Sequence, residues 1–181
     1  MKTFAAILLL SLVSAISAEV SCDECKGWVG ALQAYLLTDE DLEVQCQLLT
    51  DTLCPEAEDP EGCAAGFHNW WALIGKAMYP VFLEPAGICM DLGACSMKSL
   101  ATGTCEECTA GVMSIAGIVG SEESLVQIIE FLKGDDFCGT TPDVETCGTI
   151  IEMTMPYAMP VLAEALSGAS LDLCTDVAMA C

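Results

Sequence analysis

CDEC at 22–25 and CEEC at 105–108 are the stretches on which the fold of this chain turns. Each opens a set of six cysteines. The first set is Cys22, Cys25, Cys54, Cys63, Cys89 and Cys95, and the second is Cys105, Cys108, Cys138, Cys147, Cys174 and Cys181. Taken in order, the second set follows the first by 83, 83, 84, 84, 85 and 86 residues. Six matched offsets that drift this slowly mark an internal duplication. Other residues correspond at nearby steps of 80 to 83 residues. Thr38 and Ser121 each precede acidic residues and then an apolar periodic run, the pattern of a helix N-cap with negative charge in the first turn. Asp59–Pro60 and Thr141–Pro142 each read as an N-cap followed by proline at the first helical position. MYPVFLE (78–84) resembles AMPVLAE (158–164).

Apolar residues recur at helical spacing. Cys25, Val29, Leu32 and Leu36 form one stripe, and Leu42, Cys46, Leu49 and Leu53 a second. Cys63, Phe67, Trp70 or Trp71, Ile74 and Met78 form a third, while Leu125, Ile129 and Leu132 are the counterpart of the second stripe. Strand-like alternation is scarce. Pro80 and Pro160 are expected to interrupt the helical runs, and Pro85 marks a further break. The spacing predicts an all-α chain of two tandem, disulfide-stapled bundles with four to five helices each. The first bundle spans 19–96, the linker 97–103 and the second bundle 104–181. The linker region has no dibasic site, so the two are expected to stay joined. At the N-terminus, Met1–Lys2, the apolar run Phe4 to Ile16 and the small residues Ser17 and Ala18 read as a signal peptide over 1–18. Export agrees with thirteen cysteines, which suit an oxidising compartment.

The charge narrows the partners. Five lysines and no arginine face 27 acidic residues, a net charge of −22. Nucleic acid is excluded as a partner, because its binding depends on cationic contacts to phosphate. Simple electrostatic attraction to anionic membranes at neutral pH is disfavoured in the same way. The charge falls as carboxylates protonate at about pH 4–5. Two readings of the acidic surface stay open, a solubilising coat and a pH-responsive face.

The gaps between cysteines carry a resemblance. C-x2-C, a gap near 28, C, a gap near 9, C, a gap near 25 and C-x5–6-C resembles the saposin B-type domain. CDEC (22–25) with CMDLGAC (89–95) carries it in the first copy, and CEEC (105–108) with CTDVAMAC (174–181) in the second. The fold class implied is two tandem saposin-like helical bundles. Six cysteines alone allow 15 pairings. The resemblance implies a nested set: Cys22–Cys95, Cys25–Cys89 and Cys54–Cys63 in the first copy, then Cys105–Cys181, Cys108–Cys174 and Cys138–Cys147 in the second. The chain departs from the family in two ways. Cys46 is a seventh cysteine in the first copy, read as a buried free thiol on an apolar stripe, with an intermolecular disulfide as the alternative. The only asparagine, Asn69, lies outside any glycosylation sequon.

No catalytic or metal-ligating set is expected, and no cofactor. Both C-x-x-C pairs have places in a disulfide scheme, and the single histidine, His68, lacks the nucleophile and orienting partner of a hydrolase. What remains is apolar helical surface in excess of one narrow core. Trp28, Tyr35, Trp70, Trp71, Ile74, Met78, Ile151, Met155 and Met159 are the lipid-facing candidates. The expected function is non-enzymatic lipid binding or transfer, secreted or in a lysosomal or endosomal lumen and favoured at acidic pH. The partners are lipids or a membrane surface. The resemblance adds a lipid hydrolase as a partner, in sphingolipid metabolism, and a homodimer. An acid-activated pore former, an activator of a sphingolipid hydrolase and a structural or storage protein are the competing readings.

Overall fold

A computed structural model describes residues 21–95 and 104–181. The expected signal peptide (1–18) and linker (97–103) lie outside the described residues. Within them the chain is all-α, with eight helices: α1 (Cys22–Leu36), α2 (Asp39–Leu53), α3 (Pro60–Phe82), α4 (Pro85–Asp91), α5 (Cys105–Val119), α6 (Glu122–Lys133), α7 (Val144–Gly168) and α8 (Ser170–Asp172). Single 3₁₀ turns at Cys54–Glu56 and Cys138–Thr140 follow α2 and α6, and α8 continues into a π-helical turn, Leu173–Val177.

Side chains satisfy the orphan N–H groups at the helix starts. Ser21 and Glu24 form a reciprocal capping box at α1, and Thr104 and Glu107 form the same box at α5. The Thr38 and Ser121 hydroxyls accept from the Asp41 and Ser124 N–H groups. Asp59 accepts from the Gly62 N–H at the start of α3. The second copy differs here. The cap of α7 is Asp143, which accepts from the Thr146 N–H and hydroxyl. The Thr141 hydroxyl instead donates to the Cys138 carbonyl. The expected Thr141–Pro142 start therefore moves two residues on, to the side chain that reaches the first free N–H groups.

The prolines need a second correction. Pro80 lies inside α3, and Pro156 and Pro160 lie inside α7. A proline deprives the carbonyl four residues earlier of its helical partner. Those carbonyls belong to Lys76, Glu152 and Pro156, all exposed residues, and the three prolines are exposed as well. The prolines thus fall on the solvent side of each helix, where a freed carbonyl costs little, and the helices continue. Pro85 does mark a break, at the first position of α4, where Glu84 accepts from the Ala86 and Gly87 N–H groups. Helix α4 ends on Gly93, whose φ of 78° is one that glycine adopts without strain.

Six disulfides staple the helices: Cys22–Cys95, Cys25–Cys89, Cys54–Cys63, Cys105–Cys181, Cys108–Cys174 and Cys138–Cys147. Each joins residues of one repeat, which makes two disulfide-bonded helical halves. Such a set belongs to an oxidising compartment, extracellular or luminal. Packing groups the chain differently. One compact unit, the clamp unit, gathers the described residues 21–33, 83–95, 104–115 and 167–181; the other, the hairpin unit, gathers 34–82 and 116–166. Each unit thus draws on both repeats. The four long-range disulfides fall in the clamp unit, and the two short ones close the middle-helix turns of the hairpin unit.

The capping carboxylates titrate in a defined direction. Hydrogen bonds from the Ala86 and Gly87 N–H groups hold Glu84 below its ordinary value of 4.5. The Thr146 N–H and hydroxyl hold Asp143 below 3.8. A carboxylate lowered on folding stabilises fully above its ordinary value and loses that contribution as pH falls through the folded one. Both caps therefore contribute fully at neutral pH and lose that contribution on acidification, as pH falls from the ordinary values of 4.5 for Glu84 and 3.8 for Asp143 through the lowered folded ones. Thermal melts across this window should show Glu84→Gln and Asp143→Asn losing less stability on acidification than the parent. An acid limb of equal steepness in all three would rule the caps out as its cause.

Candidate functional site

The clamp unit holds an apolar groove. On α1, Cys25, Val29 and Leu32 lie at i, i+4 and i+7; on α5, Cys108, Val112 and Ile115 repeat that spacing 83 residues on. Both stripes line the groove, and Trp28 lies on it beside the first. Leu92 and Ala94 after α4, and Leu173, Val177 and Ala178 of the C-terminal turn, complete its walls. The volume is about 590 Å³ with the space at its open mouth included. Among the lining residues Glu107 alone is ionisable. The disulfides Cys25–Cys89 and Cys108–Cys174 are part of the wall, so the bonds that clamp the helices also set the groove's width.

A second, smaller cleft, about 200 Å³ with the space at its open mouth included, lies in the hairpin unit, between Trp70 and Ile74 of α3 and Phe137, Cys147, Ile150 and Ile151 of the second repeat. In the same unit the Phe82 and Phe131 rings meet edge to face, 5.6 Å apart.

The nine lipid-facing candidates separate accordingly. Trp28 lines the groove, Trp70, Ile74 and Ile151 line the smaller cleft, and Tyr35 is exposed. Trp71, Met78, Met155 and Met159 are fully buried in the hairpin unit, where they fill the core. The wall contributed by α5 and the C-terminal turn was not among the candidates. Its signal was present, since Cys108, Val112 and Ile115 repeat the first stripe.

The two halves differ in how that core is held. In the first, Gln45 is buried among α1, α2 and α3. Its Oε1 accepts from Trp71 Nε1 at 3.1 Å and from the Tyr79 hydroxyl at 2.6 Å. Its Nε2 donates to the Leu36 carbonyl and to the buried Asp41 carboxylate. All four bonding positions of the amide are used. Burial pushes the Tyr79 phenol above its ordinary range, so the hydroxyl remains a donor. At the repeat offsets of 83 and 84, Asp41, Gln45 and Trp71 correspond to Ser124, Ile128 and Met155. Ile128 and Met155 are fully buried. The expected stripe Leu125–Ile129–Leu132 is corrected by this register: Ile128 and Leu132 are core, while Leu125 and Ile129 are half-buried.

Cys46 is a buried free thiol. Burial, then the nearby Glu43, raises its pKa above the ordinary value of 9.0, so it stays a thiol at neutral pH. The sulfur lies 3.4 Å from His68 Nδ1, and Glu43 Oε1 lies 3.7 Å from the same nitrogen. A relay needs the base and its orienting carboxylate on different ring nitrogens, so this trio does not form one. Among the described residues no three His, Cys, Asp or Glu side chains gather as a metal site, and no single helix is long and apolar enough to cross a membrane.

Compared with family models, curated proteins and solved structures, the chain matches none.

Proposed function

We propose that this protein is a non-enzymatic, saposin-like lipid-binding or lipid-transfer protein of the secretory or lysosomal lumen, with the acyl chain held in the groove of the clamp unit. The supporting observation is the groove itself: an apolar trough walled by helices of both repeats and by two disulfides, with one ionisable side chain on it. The Met-rich interior of the second half, Met155 and Met159, is adaptable material should that half rearrange around lipid. Acidic pH favours membrane contact, because it lowers the negative charge that otherwise keeps the protein off anionic surfaces.

The test is co-sedimentation of the oxidised protein with neutral and anionic vesicles at neutral pH and at about pH 4.5. Organic extraction of the purified protein identifies any carried lipid. Binding that strengthens on acidification, without release of an entrapped dye, is the expected result. Dye release would replace transfer with pore formation. No lipid carried and no vesicle bound at either pH would leave the storage reading ahead.

A further inference from the structure

The groove carries a charge pattern as well as an apolar wall. Glu107 sits half-buried on its lining, in the first turn of α5. One carboxylate oxygen, Oε2, accepts from the Thr104 N–H at 2.6 Å; the other accepts no hydrogen bond among the described residues. No lysine lines the groove. Of the described lysines, Lys76 pairs with Asp39, Lys133 with Glu152, and Lys26 lies near enough to Glu84 to lower its pKa. Among the described residues, Glu107 is thus a carboxylate at an apolar trough with no lysine on the lining beside it. Trp28 is on the same lining.

We infer that the groove selects single-chain amphiphiles with a quaternary ammonium headgroup, Glu107 serving as counter-ion and the Trp28 indole as the aromatic wall. This rests on the lipid-binding reading above. An aromatic face and a carboxylate are the two groups that attract a cation which cannot donate a hydrogen bond. The same carboxylate rejects an anionic head, because that head would meet a like charge where an apolar wall displaces its water. The chain's net charge of −22 steers in the same direction from a distance. The α1 and α5 stripes line one trough, which argues for one chain rather than two.

Equilibrium dialysis at low salt and submicellar concentration tests this, using dodecyltrimethylammonium, dodecanoate and the neutral monododecyl glycerol as probes. The parent, Glu107→Gln and Glu106→Gln are compared. Glutamine at this position keeps the capping box with Thr104, so α5 still starts correctly. Glu106 is exposed, lies outside the groove lining and loses the same charge. The expected result is tightest binding of the ammonium probe to the parent. Glu107→Gln should weaken it roughly three- to tenfold, leave the glycerol probe unchanged and be matched by no comparable loss in Glu106→Gln. Equal losses in the two variants would assign the preference to bulk charge and overturn the inference. Binding of all three probes alike would overturn it while the groove stands as a lipid site. Binding of none would overturn the lipid-binding reading together with it.

Discussion

Replacing Cys105, Cys108, Cys174 and Cys181 together by alanine is expected to remove at least about 4 kcal/mol of stability and, with it, the groove. The two bridges are nested and span 76 and 66 residues, so only removing both opens the long loop, and the chain-entropy account makes the loss grow with the logarithm of that span. The inner bridge ties α5, which lines the groove, to the π-helical turn that closes the other wall. Deleting Cys138 and Cys147, only 9 residues apart, should cost less, about 2.5 kcal/mol. Small domains hold about 5–15 kcal/mol in total, so the first variant approaches global unfolding and the second does not. Denaturant titrations of the three proteins, followed by far-ultraviolet circular dichroism, provide the comparison. Midpoints that fall equally, or not at all for the variant lacking both nested bridges, would mean that packing rather than the clamp holds α5 in place.

The second large effect is at Trp71. Its side chain is 1% exposed, and its indole N–H is bonded to Gln45. Trp71→Ala should cost about 3–5 kcal/mol through the cavity and the lost transfer energy. Trp71→Phe retains most of the ring and gives up the hydrogen bond, which should cost about 1 kcal/mol plus a smaller packing loss. Trp70→Ala is expected to be milder than Trp71→Ala, because Trp70 is half-exposed beside the smaller cleft. Thermal unfolding followed in the far ultraviolet ranks the three without relying on tryptophan emission. Equal costs at Trp70 and Trp71 would remove the assignment of Trp71 as the centre of the core.

The ambiguity between those two tryptophans shows what sequence periodicity resolves. Neighbours on a helix differ by about 100° in direction, and a stripe of four residues leaves either one on the apolar side. The deciding partner was Gln45, a polar side chain whose burial no hydrophobic pattern announces. Thr38 and Ser121 were legible as caps because each stands one residue before a run of acids. Thr141 misled because Asp143, two residues on, is an equally good cap and reaches the free N–H groups. Pro80 and Pro160 misled because a missing N–H breaks a helix only where the freed carbonyl is dry, and exposure is not written in the local sequence. The groove was hardest to see. Its two stripes were each visible, but a stripe tells which face is apolar and not which other helix covers it. The cysteine spacing established a duplication; it did not say that each compact unit would take helices from both copies.

The four-bonded amide of Gln45 also sets how freely each copy can drift in sequence. Directional bonds accept few replacements: leucine fills the volume but strands the Trp71 and Tyr79 donors, and glutamate cannot donate to the Leu36 carbonyl or to Asp41. The counterpart, Ile128, is a fully buried apolar side chain, as is Met155 at the position of Trp71, and such sites ask only for volume and apolarity, so exchanges among isoleucine, leucine and methionine cost little there. A library of single substitutions should therefore find the first repeat's core nearly fixed and the second's permissive, so that, of two copies descended from one ancestor, the second has the wider range of sequences open to it.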